Sequence, residues 1–329
     1  MMRTRIGIAG CGHLGKIHTK MHTMLSDISE LIGVYDINSE AVKTASELYN
    51  CKGFDNLDEM ISQVDGVVVA VATQAHYEVA KKCLIAGKHV FIEKPITATV
   101  EQGRELVEMA KEKGLIIQVG QIERYNPAFS QLKNFEIEPK FIEAHRLATF
   151  NPRGADVSVV LDLMIHDIDL ILSLIKSDIE RIDAAGVAVI TDTADIANVR
   201  IKFKNGAVAN LTASRMSLKK MRKFRIFQKE KYLSLDLDTG IADIFYLADK
   251  DAEIKDGMAV GNLDYVNKKI VYSKKEKVEV NALLEENRDF VESISKGKPV
   301  KVTGKDGLKA LEVADKILSE IANQFKENN

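Results

Sequence analysis

Tryptophan is absent from the 329 residues, and proline occurs only five times and cysteine three times. The cysteines, Cys11, Cys51 and Cys83, lie far apart with no C-x-x-C pair. They support neither a disulfide framework nor a zinc site. No apolar run approaches the ~20 residues of a membrane span. The opening MMRTRIGIAGCG passes straight into a strand and a glycine loop, without a signal-type apolar segment. A soluble, cytoplasmic protein is therefore expected. Charge of one sign is also missing: 46 basic and 48 acidic residues leave a formal net charge of -2. That balance suggests neither a nucleic-acid footprint nor a polyanion-binding protein, and no nucleic-acid or membrane partner is expected. Neither an internal repeat nor a low-complexity linker is visible.

What is present begins with RIGIAGCGHLG, a short apolar strand running into Gly10, Gly12 and Gly15. In a strand–G-x-G-x-x-G–helix unit the first glycine permits the tight turn, the second lets backbone approach a pyrophosphate, and the third packs helix on strand. A second strand, ELIGVYD, ends at Asp36, 21 residues after Gly15, where a carboxylate accepts from adenosine ribose hydroxyls. No Arg or Lys follows in YDINSEAV, so a 2′-phosphate would meet only negative charge, and NAD is expected rather than NADP. Further strands, GVVVAVAT and HVFIEKP, alternate with helices, which indicates a parallel, doubly wound sheet. Lys94 stands at the carboxyl end of the last of these, either as an exposed strand-end lysine or as a catalytic group at the ligand-binding edge.

The alternation stops near Gln121, and two domains are expected, residues 1–121 and 122–329. The second reads as α+β with a mostly antiparallel sheet. It includes a hairpin at Asn205-Gly206, a type I′ turn signal, and closes with two helices. Its most unusual stretch is LDLMIHDIDL. The run Val157 to Ile175 predicts a helix, on which Asp162, His166, Asp169 and Ser173 share an arc of roughly 60° on an otherwise apolar rod. Burying such groups costs free energy unless they are paired or face a wet cavity. The stripe is thus either a satisfied core pair or an acid/base pair looking into a pocket. The basic run Arg215 to Arg225 is either a solvated strand end or a phosphate holder.

The pieces GCGHLG, VYDIN, AGKHVFIEKP, ERYNPAF and DLMIHDIDL, in that order and spacing, resemble the Gfo/Idh/MocA (glucose-fructose oxidoreductase / inositol dehydrogenase) family across essentially the whole chain. The resemblance implies a Rossmann domain, a second domain with an open-faced sheet used in oligomerisation, and an active site in a cleft between them. Its catalytic residues fall on Lys94, Asp162 and His166. The expected cofactor-binding set is Gly10, Gly12, His13, Leu14, Gly15, Asp36, Val71, Thr73, His76, Glu93, Lys94 and Gln121. The family often has proline where this chain has Ala72, a departure in the loop near the nicotinamide. The local texts look most like the branch that oxidises the 3-hydroxyl of UDP-N-acetylglucosamine to a ketone. Arg124, Asn126, Arg153 and Arg222 are then candidates for the substrate, and a homodimer or homotetramer is expected. An unactivated sugar or a cyclitol such as inositol is the alternative substrate. A non-enzymatic NAD-binding sensor is the alternative from another class, and it would have no need of Lys94, Asp162 and His166 together.

Overall fold

A computed structural model describes residues 3–151 and 157–327. Its chain divides into two compact units, Met1–Ile122 with Asn281–Glu312, and Glu123–Val280 with Val313–Asn329.

The first unit runs β1 (Thr4–Ala9), α1 (His13–Met24), β2 (Ser29–Tyr35), α2 (Ser39–Tyr49), β3 (Lys52–Phe54), α3 (Leu57–Gln63), β4 (Gly66–Val69), α4 (Thr73–Ile85), β5 (His89–Glu93), α5 (Val100–Lys113) and β6 (Ile117–Gly120). The six strands pair in the order β3-β2-β1-β4-β5-β6, every pair parallel. Their buried runs, such as Val67, Val68 and Val69, are apolar on both faces, as a sheet covered on both sides by helices requires. Helix starts are chemically marked. Asn38 and Asn56 cap α2 and α3 with their side chains, and Thr99 with Gln102 forms a capping box on α5.

The second unit continues with α6 (Pro127–Ser130), β7 (Phe141–Leu147), α7 (Ile165–Leu174), β8 (Ile179–Val187), β9 (Ile196–Phe203), β10 (Val208–Ser214), β11 (Met221–Gln228), β12 (Lys231–Asp236), β13 (Ile241–Asp249), β14 (Met258–Leu263) and β15 (Lys268–Lys275). These strands form a nine-stranded sheet in the order β14-β15-β13-β12-β11-β7-β10-β9-β8, antiparallel except for β7 with β10. Strict alternation puts Ile142, Ala144, Val199, Ile201, Leu211, Phe224, Ile226, Leu233 and Ile244 on the buried face. The opposite face carries an aromatic row. Phe141, Phe227, Tyr232, Phe245 and Tyr272 follow one another across five strands with ring centroids 5.6, 4.7, 5.8 and 4.9 Å apart.

Three expectations are corrected. Residues 281–312 were assigned to the second domain, but α8 (Ala282–Lys296) and the start of α9 (Gly304–Glu327) belong to the first unit. Phe290 and Val291 of α8 complete a core with Ile6, Ile8, Val34, Val68 and Phe91, and each such burial contributes roughly 1.5–3 kcal/mol. The hairpin at Asn205-Gly206 forms, but only Gly206 takes a positive φ (84°), so the turn is not type I′. Phe203 O accepts from Gly206 N at 2.9 Å and Asn205 Oδ1 from Ala207 N at 3.1 Å, which is a type I turn followed by a left-handed glycine. The helix around LDLMIHDIDL is not a uniform α-helix, since Val160–Met164 is π-helical and α7 starts only at Ile165.

Candidate active site

In the first unit the expected cofactor residues gather at the carboxyl edge of the parallel sheet, around the point where strand order reverses between β1 and β4. Gly10 has φ of +106°, and a Cβ there would lie 2.4 Å from Ala70 O; one on Gly15 would lie 1.8 Å from Gly10 O. A Cβ on Gly12 would meet nothing within 4 Å, and Gly12 is the N-cap of α1 with no side-chain cap. The space over that helix end is kept open by the absence of a side chain, and His13 and Leu14 are exposed beside it. A diphosphate fits there, against backbone N–H groups and the positive end of the helix dipole. Asp36 Oδ2 accepts from Cys11 N at 2.6 Å and Oδ1 from Asn38 N at 2.9 Å. A carboxylate offers about four lone-pair sites, so acceptor capacity remains for ribose hydroxyls. These features fit NAD. Cys11, inside the loop, has its thiol pushed up to about 12, first by burial and then by the Asp36 carboxylate, which keeps it protonated at neutral pH.

Val71 and Thr73 border the turn after β4, and Gln121 is buried after β6. Lys94 follows β5 and is the one partly exposed residue in Phe91–Thr97, its neighbours on both sides being buried. Two other expected cofactor contacts have partners within the unit. His76 is 1% exposed, with Nδ1 2.9 Å from Pro95 O and Nε2 3.2 Å from Val71 O. It staples the loop after β4 to the turn after β5, and burial lowers its pKa. Glu93 is turned inward, Oε1 facing His18 Nε2 at 2.7 Å and Oε2 accepting from Lys94 N at 3.2 Å.

In the second unit burial sorts the polar residues of LDLMIHDIDL. Asp162 and His166 are partly exposed, while Asp167 and Asp169 are 4% and 1% exposed. The buried pair is held by arginines. Arg146 donates to Asp167 at 2.9 and 2.8 Å and to Glu123 Oε1 at 2.8 Å. Arg124 reaches Asp169 at 2.5 and 2.9 Å. Such fork-to-carboxylate pairs fix orientation as well as charge, so α7 is clamped at two points. Asp162 lies in the π-helical stretch, a distortion frequent at functional sites, with His166 in the turn that follows. Ser173, the last member of the expected stripe, donates to Leu170 O at 2.6 Å.

The substrate candidates fare differently. Arg124 is paired within the unit, its charge neutralised by Asp169. Asn126 caps α6 and donates to Glu123 Oε2 and Leu237 O at 2.9 and 2.8 Å. Arg222 is 43% exposed at its side chain and only loosely paired, 3.6 Å from Glu123 and 4.0 Å from Asp238. Arg153 lies outside the described residues. Of the rest of the basic run, Arg225 pairs with Glu143 at 2.8 Å, Lys223 with Asp236 at 3.0 Å and Arg215 is buried near Asp195, while Lys219 and Lys220 are exposed. Sequence reasoning missed Arg146, His18 and Asn287. The parity of β7 carries the signal for the first, since Ile142 and Ala144 point inward and so must Arg146.

Residues 4–121 match the family model described as GFO_IDH_MocA, "Oxidoreductase family, NAD-binding Rossmann fold", and residues 132–234 match the GFO/IDH/MocA C-terminal domain. The chain belongs to the GFO/IDH/MocA family. It is an NAD-dependent oxidoreductase. UDP-N-acetylglucosamine 3-dehydrogenase of Acidithiobacillus ferrooxidans is 36% identical over 316 residues, covering 95% of this chain and 96% of that one. A solved structure of an enzyme of that name and organism superimposes with a TM-score of 0.87, at 33% identity over 98% of both chains. Myo-inositol 2-dehydrogenase of Thermotoga maritima is 24% identical over 93% of each chain. Among the described residues no helix is long and apolar enough to cross a membrane, and no three His, Cys, Asp or Glu side chains are grouped to hold a metal.

Proposed function

We propose that this protein oxidises the 3-hydroxyl of UDP-N-acetylglucosamine, or of a closely related nucleotide sugar, to a ketone with NAD as acceptor. The observation that carries this reading is the 36% identity along nearly the whole chain to an enzyme named for that reaction. The partly exposed Lys94, Asp162 and His166 supply the chemistry it needs. The C–H bond breaks with its electron pair leaving as hydride for nicotinamide, and the hydroxyl proton must leave with it. His166 takes that proton, because imidazole titrates near neutrality. Lys94 holds the same oxygen as negative charge develops on it, and Asp162 accepts from an adjacent hydroxyl and orients the imidazole. Arg222 is the described cation best available to a diphosphate.

The test is NADH absorbance with UDP-N-acetylglucosamine, free N-acetylglucosamine and myo-inositol, each with a ketone trap because the oxidation is uphill near neutral pH. Remote binding energy from the nucleotide should help position the reacting carbon, so only the first should react well. Turnover of inositol alone would favour the cyclitol reading, and no turnover of any alcohol the sensor reading. We further propose a homo-oligomer joined through the sheet face bearing the aromatic row, where Phe227 is 36% exposed. Phe227→Asp should lower the sedimenting mass, and an unchanged mass would place the interface elsewhere.

A further inference from the structure

His18 carries no role in the chemistry above, and its surroundings are unusual for a core histidine. The side chain is fully buried on α1, its ring edge-on to Phe91 at 5.0 Å. Nε2 lies 2.7 Å from Glu93 Oε1, and Nδ1 lies 3.0 Å from Asn287 Oδ1. The Asn287 amide is not free to turn over, because its Nδ2 donates to Leu283 O at 2.8 Å. With the Glu93 carboxyl ionised, as its lowered pKa requires, both ring nitrogens face acceptors. A neutral imidazole has only one N–H, and two donors require the imidazolium.

We propose that His18 is a positioning residue for Lys94: as a buried imidazolium fixed by Asn287, it locks the Glu93 carboxylate, whose second oxygen holds the Lys94 backbone N–H. This rests on the reading of Lys94 as a catalytic group. The chain of contacts runs Leu283 O, Asn287, His18, Glu93, Lys94 N, so α8 and α1 together fix the turn that presents the lysine. Gly120 completes the seat, since a Cβ there would lie 2.8 Å from Glu93 Oε2 and push the carboxylate aside. Two further observations agree. Glu93 is only 7% exposed yet its pKa is lowered, burial being outweighed chiefly by the hydrogen bond and charge of His18. His22, one turn along α1, is pushed down to about 3 by burial first and by the neighbouring His18 charge second. Breaking one partner of such a buried pair leaves the other uncompensated.

The direct test is nitrogen-15 NMR of the full-length protein labelled at histidine, with the His18 signals assigned by their loss in His18→Gln. Both ring nitrogens should be protonated at pH 7, and a single neutral tautomer there would overturn the proposal. Kinetically, His18→Gln and Asn287→Leu should each lower kcat about 10-fold, the scale of a small misplacement. The KM for NAD should stay within about twofold, and His18→Gln should add nothing to Glu93→Gln. Unchanged kcat, or a KM for NAD rising in step with lost thermal stability, would make His18 merely structural. If His18→Gln does not fold, NMR of the unmodified protein with the signals assigned through Asn287→Leu decides. Lys94→Ala retaining its turnover would remove the catalytic reading of Lys94 while leaving the charge state of His18 standing, so the two failures are distinguishable.

Discussion

The two units bury polar groups with different chemistry. The first relies on histidine: His18 on Glu93 and Asn287, His22 on Ser29 at 2.9 Å, and His76 between two backbone carbonyls. The second relies on arginine: Arg146 on Asp167 and Glu123, Arg124 on Asp169, and Arg215 beside Asp195. Guanidinium never titrates in a protein, and its fork pins a carboxylate in one orientation. Imidazole titrates in mild acid. The second unit thus holds the helix bearing Asp162 and His166 with cations that pH does not change, whereas the first carries His22 and His76, which burial keeps neutral and mild acid can disturb.

The largest effect should come from breaking the arginine cluster. Arg146→Met leaves Asp167 without its hydrogen-bonded counter-ion and Glu123 with only the looser Arg222, and should cost about 3–5 kcal/mol, read as earlier denaturant unfolding of the second unit. Replacing all three by apolar residues of similar volume should restore much of the loss. A loss below about 1 kcal/mol for Arg146→Met would remove the clamp from the account.

Next in size are the catalytic variants, one from each unit. Lys94→Ala and His166→Ala should each lower kcat by roughly 10² or more, about 3 kcal/mol of barrier, with NAD affinity much less affected. A variant that loses thermal stability but keeps its turnover would make that side chain structural.

The pH contrast is smaller. His22 is pushed down to about 3 in the folded protein, against roughly 6.5 when unfolded. The unfolded chain therefore takes up a proton that the folded chain refuses. Stability from this group is complete above pH 6.5 and is lost as pH falls toward 3. Burial depresses His76 in the same direction. Hydrogen exchange should show the first unit losing protection between pH 6.5 and 5, by about 2 kcal/mol for one such group, while the second does not. His22→Met should flatten that dependence, and equal losses in both units would erase the contrast. Smallest is cofactor choice: Asp36→Ala should narrow the preference for NAD over NADP, and tighter NADP binding by the unmodified protein would contradict the role of Asp36.

Features that act locally could be read from the sequence. The glycine loop, Asp36 at its strand end and the βα alternation each depend on backbone conformation within a few residues, and all stand where they were expected. The placement of 281–312 could not be read, because a helical pattern does not say which core receives it. The π-helical stretch at Val160–Met164 escaped a wheel built on a constant turn. Arg124, Asn126, His76 and Glu93 each have a partner inside the protein that their motifs did not reveal, because a motif does not distinguish a partner inside the protein from one outside. Asp162 and His166 emerged from the same stripe as Asp169 only once burial separated them.

The most direct test of the account is the position of the hydride. UDP-N-acetylglucosamine carrying deuterium at C3 of the sugar should pass that deuterium to the nicotinamide, giving labelled NADH and a 3-keto nucleotide sugar, with a slower rate if hydride transfer limits turnover. Unlabelled NADH formed from this substrate, or label transferred only from a different carbon, would contradict it.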